Sequence, residues 1–187
     1  MIYVALLRGI NVGGKNKVDM KKLKQAFEEA GMSSVTTYIN SGNIVFVDNN
    51  FSTDQLAPIL EEAIYSHFGL QSNVLIYNSE EFQGIARAIP ENWSNDQQMK
   101  SDALFLWEDV DGETVLDQLV IKPDIDRVRY VPGAILWSVD RDKVTKSGMI
   151  KIIGSALYQR VTVRNVNTVR KITALLQKME NKNTGLS

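Results

Sequence analysis

The chain has 187 residues, of which 44% are hydrophobic, and a formal net charge of −1 at pH 7, as expected for a folded protein of one large or two small domains. It contains no cysteine and one histidine, which excludes disulfide frameworks, cysteine nucleophiles and metal centres built from several cysteines or histidines. Because no apolar run approaches about 18 residues and no signal peptide is recognisable, we expect no membrane partner and a cytoplasmic location.

The first part of the sequence alternates strand and helix patterns in the order βαββαβ. β-Branched, aromatic and apolar runs predict strands, and amphipathic runs with capping residues predict helices. The predicted elements are a strand at Ile2–Leu7, a helix at Asp19–Ala30, a hairpin of strands Val35–Asn40 and Asn43–Val47, a helix at Ser52–Phe68 and a strand at Asn73–Tyr77. This order is typical of the split βαβ, or ferredoxin-like, arrangement.

A helix at Ser79–Ile89 and a polar, linker-like stretch lead to a second set of elements in the same order. This set comprises a strand at Ala103–Trp107, a helix at Glu113–Ile121, a hairpin of strands Arg127–Val131 and Ile135–Val139, a helix at Asp142–Ile153, a strand at Arg160–Val163 and a last helix at Thr168–Met179. We therefore predict an α+β protein with two ferredoxin-like subdomains in tandem, residues 1–78 and 101–187. A connecting helix and linker at 79–100 join them, and the C-terminal helix ends the second.

The first loop, between the strand Ile2–Leu7 and the following helix, carries the most distinctive polar motif. It combines three glycines with two asparagines and three cations. Glycines allow several N–H groups to face one anion, a following helix adds the positive end of its dipole, and cations add charge. The candidate ligand-binding residues in this loop are Arg8, Asn11, Gly13, Gly14, Lys15 and Lys17. The alternative is a loop that only connects two elements.

The same loop is close to a P-loop pattern, with Gly9, Gly14 and Lys15 in place. Asn16, however, stands where a P-loop requires serine or threonine to bind magnesium. The predicted helix also begins four residues after Lys15, whereas a P-loop lysine lies at the start of the helix itself. Both departures disfavour an ATPase or GTPase.

Two further polar clusters are candidate binding segments. Ser41 and Asn43 lie at the tip of the first hairpin, where tight turns also require such residues. Arg164, Asn165 and Asn167 precede the last helix, where an arginine and two amides at a helix N-terminus suit a phosphate or carboxylate. The structural alternative is that Asn167 or Thr168 is simply the N-cap of that helix.

Charge is distributed unevenly along the chain. Residues 1–24 contain six lysines or arginines against one aspartate, and residues 141–178 contain nine against one, so the rest of the chain is acidic. Such asymmetry indicates an anionic partner, for example a nucleic acid. The alternative explanation is that the acidic and basic parts of the chain face each other in the fold.

Three segments together resemble the bacterial domain-of-unknown-function 1697 family. They are Ala5 to Asn16 in the first strand and loop, Tyr38 to Phe46 in the hairpin, and Val163 to Val169 before the last helix. Val166 stands where the family pattern has an aromatic residue. The resemblance covers essentially the whole chain and implies a pair of ferredoxin-like subdomains, with the three segments as the family's signature, but no established activity.

These observations lead to one functional hypothesis and two alternatives. We expect a protein that binds an anionic small ligand, such as a nucleotide or another phosphorylated molecule, with the three polar segments converging on it. A nucleic-acid-binding protein and a protein interaction module are the alternatives. No catalytic residue, metal site or cofactor is assigned, and His67 suits a structural role near the end of its helix.

Overall fold

The computed structural model describes residues 1–183, which form two compact units. Unit 1 comprises Met1–Phe82 together with residues 172–183, and unit 2 comprises Gln83–Lys171. The predicted subdomains, residues 1–78 and 101–187, stay a prediction. A compact unit is not by itself a segment that folds independently.

Unit 1 is built on a four-stranded antiparallel sheet with the strand order β2-β3-β1-β4. Its elements are β1 (Ile2–Leu7), α1 (Met20–Glu29), β2 (Ser33–Tyr38), β3 (Asn43–Val47), α2 (Thr53–Phe68) and β4 (Val74–Asn78). Alternate residues of β1 and β3, such as Leu7 and Phe46, are buried in one core with Phe27 of α1 and Leu60 of α2. The inward-facing residues of the strands and the apolar faces of the helices therefore form one hydrophobic core.

Unit 2 contains a second four-stranded antiparallel sheet with the order β6-β7-β5-β8. The remaining α-helices and strands in residues 1–183 are α3 (Ser79–Ala88), β5 (Met99–Leu106), β6 (Arg127–Val131), β7 (Ala134–Asp140), β8 (Val161–Asn165) and α4 (Val166–Asn183). Helix α4 begins in unit 2 and ends in unit 1. None of the helices within residues 1–183 combines the length and the hydrophobicity that spanning a bilayer requires.

The two sheets share their strand order and also individual backbone hydrogen bonds. The Leu7 N–H donates to the carbonyl of Gly42 at 2.8 Å, and in unit 2 the Leu106 N–H donates to Gly133 at 2.9 Å. Each bond joins the end of the first strand to the glycine at the tip of the hairpin. The repeated order seen in the sequence thus extends to equivalent backbone contacts.

The helices of unit 1 begin and end as their capping residues predict. The Asp19 carboxylate accepts the backbone N–H groups of Lys21 and Lys22, both at 2.9 Å, at the start of α1. At the start of α2, the Ser52 N–H donates to the Gln55 side chain at 3.0 Å. Gly69 ends α2 with a left-handed φ of 62°.

His67 has the structural surroundings expected for the last turn of α2. Its Nδ1 lies 2.9 Å from the carbonyl oxygen of Ala63, and its Nε2 lies 2.9 Å from a carboxylate oxygen of Glu29 on α1. The bond to Ala63, followed by that to Glu29, raises the pKa of the imidazole. The histidine therefore connects two helices.

Two of the three helices predicted in the second half are not α-helices in the structure, so these two predictions were wrong. The segment Glu113–Ile121 forms a 3₁₀ helix only at Glu113–Gln118, and Asp142–Ile153 forms separate 3₁₀ turns at Arg141–Lys146 and Met149–Ile152. Ser147 interrupts the second segment with an extended backbone (φ −61°, ψ 140°). Its hydroxyl donates to the buried carboxylate of Asp126, and this long-range contact overrides the local helical pattern.

The polar stretch between α3 and β5 is fixed by contacts within unit 2. Trp93 is buried, and the guanidinium of Arg170 donates to the carbonyl oxygens of Trp93 at 2.7 Å and Pro90 at 3.0 Å. Strand β5 also begins at Met99, four residues before the predicted start. This segment is therefore ordered by a side chain of α4 that lies far away in sequence.

Candidate functional site

The first loop contains a tight turn closed by an isolated β-bridge between Val12 and Lys15, and we call residues 11–17 the basic finger. The Asn11 N–H donates to the carbonyl of Asn16, and the Lys15 N–H donates to the carbonyl of Val12, both at 3.0 Å. The two glycines between Val12 and Lys15 have φ values of 57° and 77°. Positive φ at both central positions is the pattern of a type I′ hairpin turn, which favours glycine. The turn alone thus accounts for the glycine pair.

The side-chain amides of the finger hold it in place. Asn11 donates through Nδ2 to the carbonyls of Val18 at 3.0 Å and Asn40 at 2.8 Å, and its Oδ1 accepts the Val18 N–H at 2.8 Å. Asn16 donates to the carbonyl of Gly9 at 2.8 Å. Asn11 therefore connects the finger to the β2–β3 hairpin, and its amide groups serve the fold.

The β2–β3 hairpin tip packs directly against the end of β1. Strand register places Asn43 opposite Leu6, and the buried Asn43 amide donates to Ser41 Oγ at 2.9 Å and to the Tyr38 carbonyl at 3.1 Å. The first two polar segments predicted from the sequence are thus neighbours in unit 1. Beside them, the half-exposed Ile39 has a φ of 48°, a strained value for a β-branched residue.

The glycine of this tip is required by its surroundings. Gly42 has a φ of 72°, and a Cβ there would lie 2.6 Å from Leu7 Cβ. We expect Gly42→Ala to lower the free energy of unfolding by about 2–4 kcal/mol, because backbone strain and overpacking add. Gly13→Ala is the control, since a Cβ there meets no atom within 4 Å and only strain of about 1–2 kcal/mol remains. Equal urea midpoints for the two variants would contradict the close packing.

A cavity of about 520 Å³ lies between the finger and the start of α1. Its wall includes two lysines, Lys17 from the finger and Lys21 from α1, together with Gly14 and Asn40. Neither lysine forms an ion pair with a residue in the described range 1–183. We call this space the finger cavity.

Asp19 also lines the finger cavity, but its carboxylate already caps α1. The N–H of Lys22, and to a smaller degree that of Lys21, lowers the pKa of this carboxyl group. The positive end of the α1 dipole is therefore occupied by the protein's own carboxylate. An external anion in the finger cavity would depend on the lysines and the finger, and not on the helix N-terminus that the sequence suggested.

Arg8 and Lys15, the other cations predicted in the first loop, lie outside the wall of this cavity. Arg8 is half-buried at the end of β1, where its N–H donates to the Asn73 carbonyl at 3.0 Å and its carbonyl accepts the Ser72 hydroxyl at 3.1 Å. Lys15 is exposed at the finger turn. Since α1 begins only at Met20, Lys15 does not have the position of a P-loop lysine.

The third polar segment lies in unit 2, and its side chains have defined contacts there. Arg164 is only 7% exposed and donates through Nη1 to Thr162 Oγ1 at 3.0 Å and to the Val163 carbonyl at 2.8 Å. Burial lowers the pKa of its guanidinium to about 10. Arginine remains charged at neutral pH at this value, so β8 carries a buried cation.

The two asparagines of this segment bond to backbone groups of unit 2. Asn165 Oδ1 accepts the Thr168 N–H at 2.9 Å, so Asn165 caps α4 in place of the expected Asn167 or Thr168. Asn167 Nδ2 donates to the Asn95 carbonyl at 2.9 Å. Asn165 therefore stabilises the start of α4, and Asn167 holds a backbone segment that is distant in sequence.

The cavity contains residues that the sequence interpretation missed. Lys21 and Asn40 line it, and neither is among the candidate ligand-binding residues predicted from the sequence. The position of Lys21, two residues after the cap of α1, is the one local signal that could have found it. Asn40 reaches the cavity through the hydrogen bond from Asn11, which no local pattern indicates. In the described residues, no group of three acidic or histidine side chains could hold a metal ion.

The architecture is that of an α+β protein with two four-stranded antiparallel sheets of equal strand order. A family model described as a protein of unknown function, DUF1697, matches residues 1–137, and the chain belongs to this family. The match confirms the resemblance and includes the finger and the first hairpin. It ends before the Arg164 segment.

Among solved structures, the chain is similar to the conserved bacterial protein SP0830 from Streptococcus pneumoniae. The two are 32% identical and superpose with a TM-score of 0.79, over 94% of this chain and 98% of that one. No curated protein matches the sequence. The comparisons support the fold and the family, and neither supplies an activity.

Proposed function

We propose that this protein binds an anionic, phosphate-bearing small ligand, such as a nucleotide, in the finger cavity. The observation that carries the proposal is the pair of lysines, Lys17 and Lys21, in the wall of one cavity without an ion-pair partner in residues 1–183. A volume of about 520 Å³ suits a small molecule, for which sites usually measure about 300–1,000 Å³. Ammonium groups are effective phosphate ligands.

The finger adds hydrogen-bond donors to this positive charge. The backbone N–H groups of Gly13 and Gly14 bond to no group of the described chain, and both residues are exposed. Gly14 belongs to the cavity wall. Two backbone N–H groups already donate to the carboxylate of Asp19. This carboxylate therefore repels a bound anion less than a carboxylate without hydrogen bonds would. The proposal therefore rests on two ammonium groups and the open N–H groups of one turn.

The other members of the predicted site stay predictions. Arg8, Lys15, Ser41 and Asn43 belong to the same unit as the finger cavity, and we include them as candidates for the outer part of the ligand. Arg164, Asn165 and Asn167 belong to unit 2, and their role in ligand binding stays a prediction of its own. Asn11 supports the site by positioning the finger.

A thermal-shift screen with purified protein tests the proposal. The ligands are nucleotides, phosphorylated metabolites, and short RNA and DNA oligomers, each at low and high salt. A small ligand at about 100 times its dissociation constant stabilises a protein by about 2.7 kcal/mol, which shifts the melting temperature by several degrees. We expect such a shift with a phosphorylated small molecule, and we expect it to persist at high salt.

Variants of three exposed lysines separate the site from general charge. Lys17→Ala and Lys21→Ala are each expected to weaken binding about tenfold or more, because each removes a charge-assisted hydrogen bond worth about 1.5–3 kcal/mol. Lys22→Ala is the matched control, since Lys22 is exposed on α1 next to Lys21 but does not line the finger cavity. Equal affinity in all three variants would contradict the proposal.

The same screen distinguishes the two alternatives. Shifts with oligomers alone, lost steeply at high salt, would favour a nucleic-acid-binding protein. No shift with any ligand would favour a protein interaction module. A cytoplasmic location stays a prediction from the sequence.

We interpret each of the two sheets as a ferredoxin-like subdomain. The order β2-β3-β1-β4, with α1 and α2 joining strands that are not neighbours, supports this interpretation for unit 1. In unit 2 the same strand order is joined by 3₁₀ segments. The repeat of equivalent backbone bonds supports two related subdomains.

A further inference from the structure

Unit 1 has a second basic cavity, separate from the finger cavity. A groove of about 370 Å³ lies between α1, the edge strand β2 and the last turns of α4. Its walls include Lys24 from α1 and Lys178 and Lys182 from α4, and its floor includes Ser34 and Thr36 of β2. We call it the edge groove.

The floor of the edge groove is a sheet edge. In residues 1–183, β2 pairs with β3 on one side, and no strand pairs with its other side. Alternate residues of such an edge strand direct their N–H and C=O groups away from the sheet. Ser34 and Thr36 are exposed or half-exposed, whereas Val35 between them is buried in the core. The groove thus offers hydroxyl groups and an unpaired strand edge.

The walls of the groove are positively charged with an apolar component. Lys178 and Lys182 lie one turn apart on α4 and form no ion pair with the described residues. Lys24 Nζ lies 3.6 Å from a carboxylate oxygen of Glu28. Among the described residues, Glu28 is the one acidic residue that lines the groove. Met179 adds apolar surface on the α4 side. Three lysines against one glutamate leave a net positive charge.

We propose that the edge groove binds an acidic peptide segment of a protein partner, which adds as an antiparallel or parallel strand to β2. Strand addition supplies backbone hydrogen bonds, and the residues that line the groove supply specificity. The lysines complement acidic side chains on the peptide, and the apolar wall accommodates an aliphatic one. A register shift between Ser33 and Thr36 interrupts the pairing of β2 with β3, whereas Thr36–Tyr38 pair regularly. We therefore place the added strand beside Thr36–Tyr38.

Differential panning of a random decapeptide library against the full-length protein tests this proposal. The comparison is with the double variant Lys178→Glu/Lys182→Glu. The charge-matched control is Lys22→Glu/Lys171→Glu, which changes two exposed lysines that do not line the groove. All three proteins should have the same circular dichroism spectrum and urea midpoint within about 0.5 kcal/mol, as surface changes usually do.

We expect the wild-type protein and the control to enrich acidic peptides. The affinity of these peptides for the Lys178→Glu/Lys182→Glu variant should be lower by a factor of about ten or more. The complex should also show slower amide hydrogen exchange at those N–H groups of Thr36–Tyr38 that face away from β3. Equal enrichment by all three proteins, or none, would overturn the proposal and leave the lysines and the register shift as protection of the edge against pairing. Enrichment without protection of β2 would overturn strand addition. Neither result bears on the finger cavity, because none of the changed lysines lines it.

Discussion

Replacing Asp126 with asparagine is expected to lower the free energy of unfolding by about 3–5 kcal/mol. The buried carboxylate accepts four hydrogen bonds, from the N–H groups of Lys122 and Gly148 at 2.9 Å each, from Trp137 Nε1 at 3.3 Å and from the Ser147 hydroxyl. Asparagine has one accepting oxygen, so its NH₂ group would face donors. Each buried polar group left without a partner costs about 1–3 kcal/mol.

Urea unfolding of the variant at pH 7 measures this loss, with Asp124→Asn as the control. Asp124 is exposed two residues away, and its replacement should change stability by about 0.5 kcal/mol or less. If the two variants unfold at the same urea concentration, the Asp126 contacts do not stabilise the fold.

The contribution of Asp126 also has a defined pH dependence. Burial, the largest single influence, raises the pKa of this carboxyl group, but the hydrogen bonds from Ser147, Lys122, Gly148 and Trp137 together hold it below its ordinary value of 3.8. A group with a lowered folded-state pKa stabilises the protein above the unfolded-state pKa, and this contribution is lost as the pH falls through the folded-state value. The stability difference between wild type and Asp126→Asn should therefore be constant above about pH 5 and shrink below about pH 4.

Gly148→Ala is expected to destabilise the protein by about 3 kcal/mol or more, for a purely steric reason. The φ of Gly148 is −71°, which alanine adopts without strain, but a Cβ would lie 2.0 Å from the carbonyl oxygen of Val120. The added Cβ clashes with a backbone atom and not with a flexible side chain, so the backbone at Gly148 must move away from that of Val120. Overpacking of this kind usually costs about 1–3 kcal/mol and sometimes more.

Gly112→Ala is the control for this prediction. Its φ of −176° is ordinary extended backbone, and the nearest atom to a Cβ is Thr114 Oγ1 at 3.9 Å. This change should leave stability unchanged or raise it by up to about 1 kcal/mol, because alanine restricts the unfolded chain. Similar melting temperatures for Gly148→Ala and Gly112→Ala would show that the contact with Val120 is not fixed.

The elements of unit 1 could be predicted because their signals are local. Asp19 precedes α1 and caps it, and Ser52 with Gln55 opens α2. Each signal connects residues at most three positions apart, so it can be recognised in the sequence alone. In unit 2, Asp126 acts on Ser147 and Gly148, more than 20 residues away, and its contacts break a pattern that is helical by local criteria.

The candidate site was predictable in part. The finger and the hairpin tip are recognisable by composition, and strand register brings them together by pairing Leu6 with Asn43. The backbone bonds of the finger show that its two glycines also form a hairpin turn, and their role in binding an anion stays a prediction. The involvement of Lys21 emerged only from the packing of α1 beside the finger.

The sequence by itself determined the α+β class, the order of the strands along the chain, the family and the absence of cysteine chemistry. These properties follow from composition and from patterns within a few residues, which act before distant parts of the chain meet. Only the tertiary structure decided which charges are paired, where Lys17 and Lys21 share a cavity, and how Asp126 reshapes unit 2. Hydrogen bonds and electrostatic contacts depend on distances of a few ångströms between residues far apart in sequence, and those distances exist only in the folded chain.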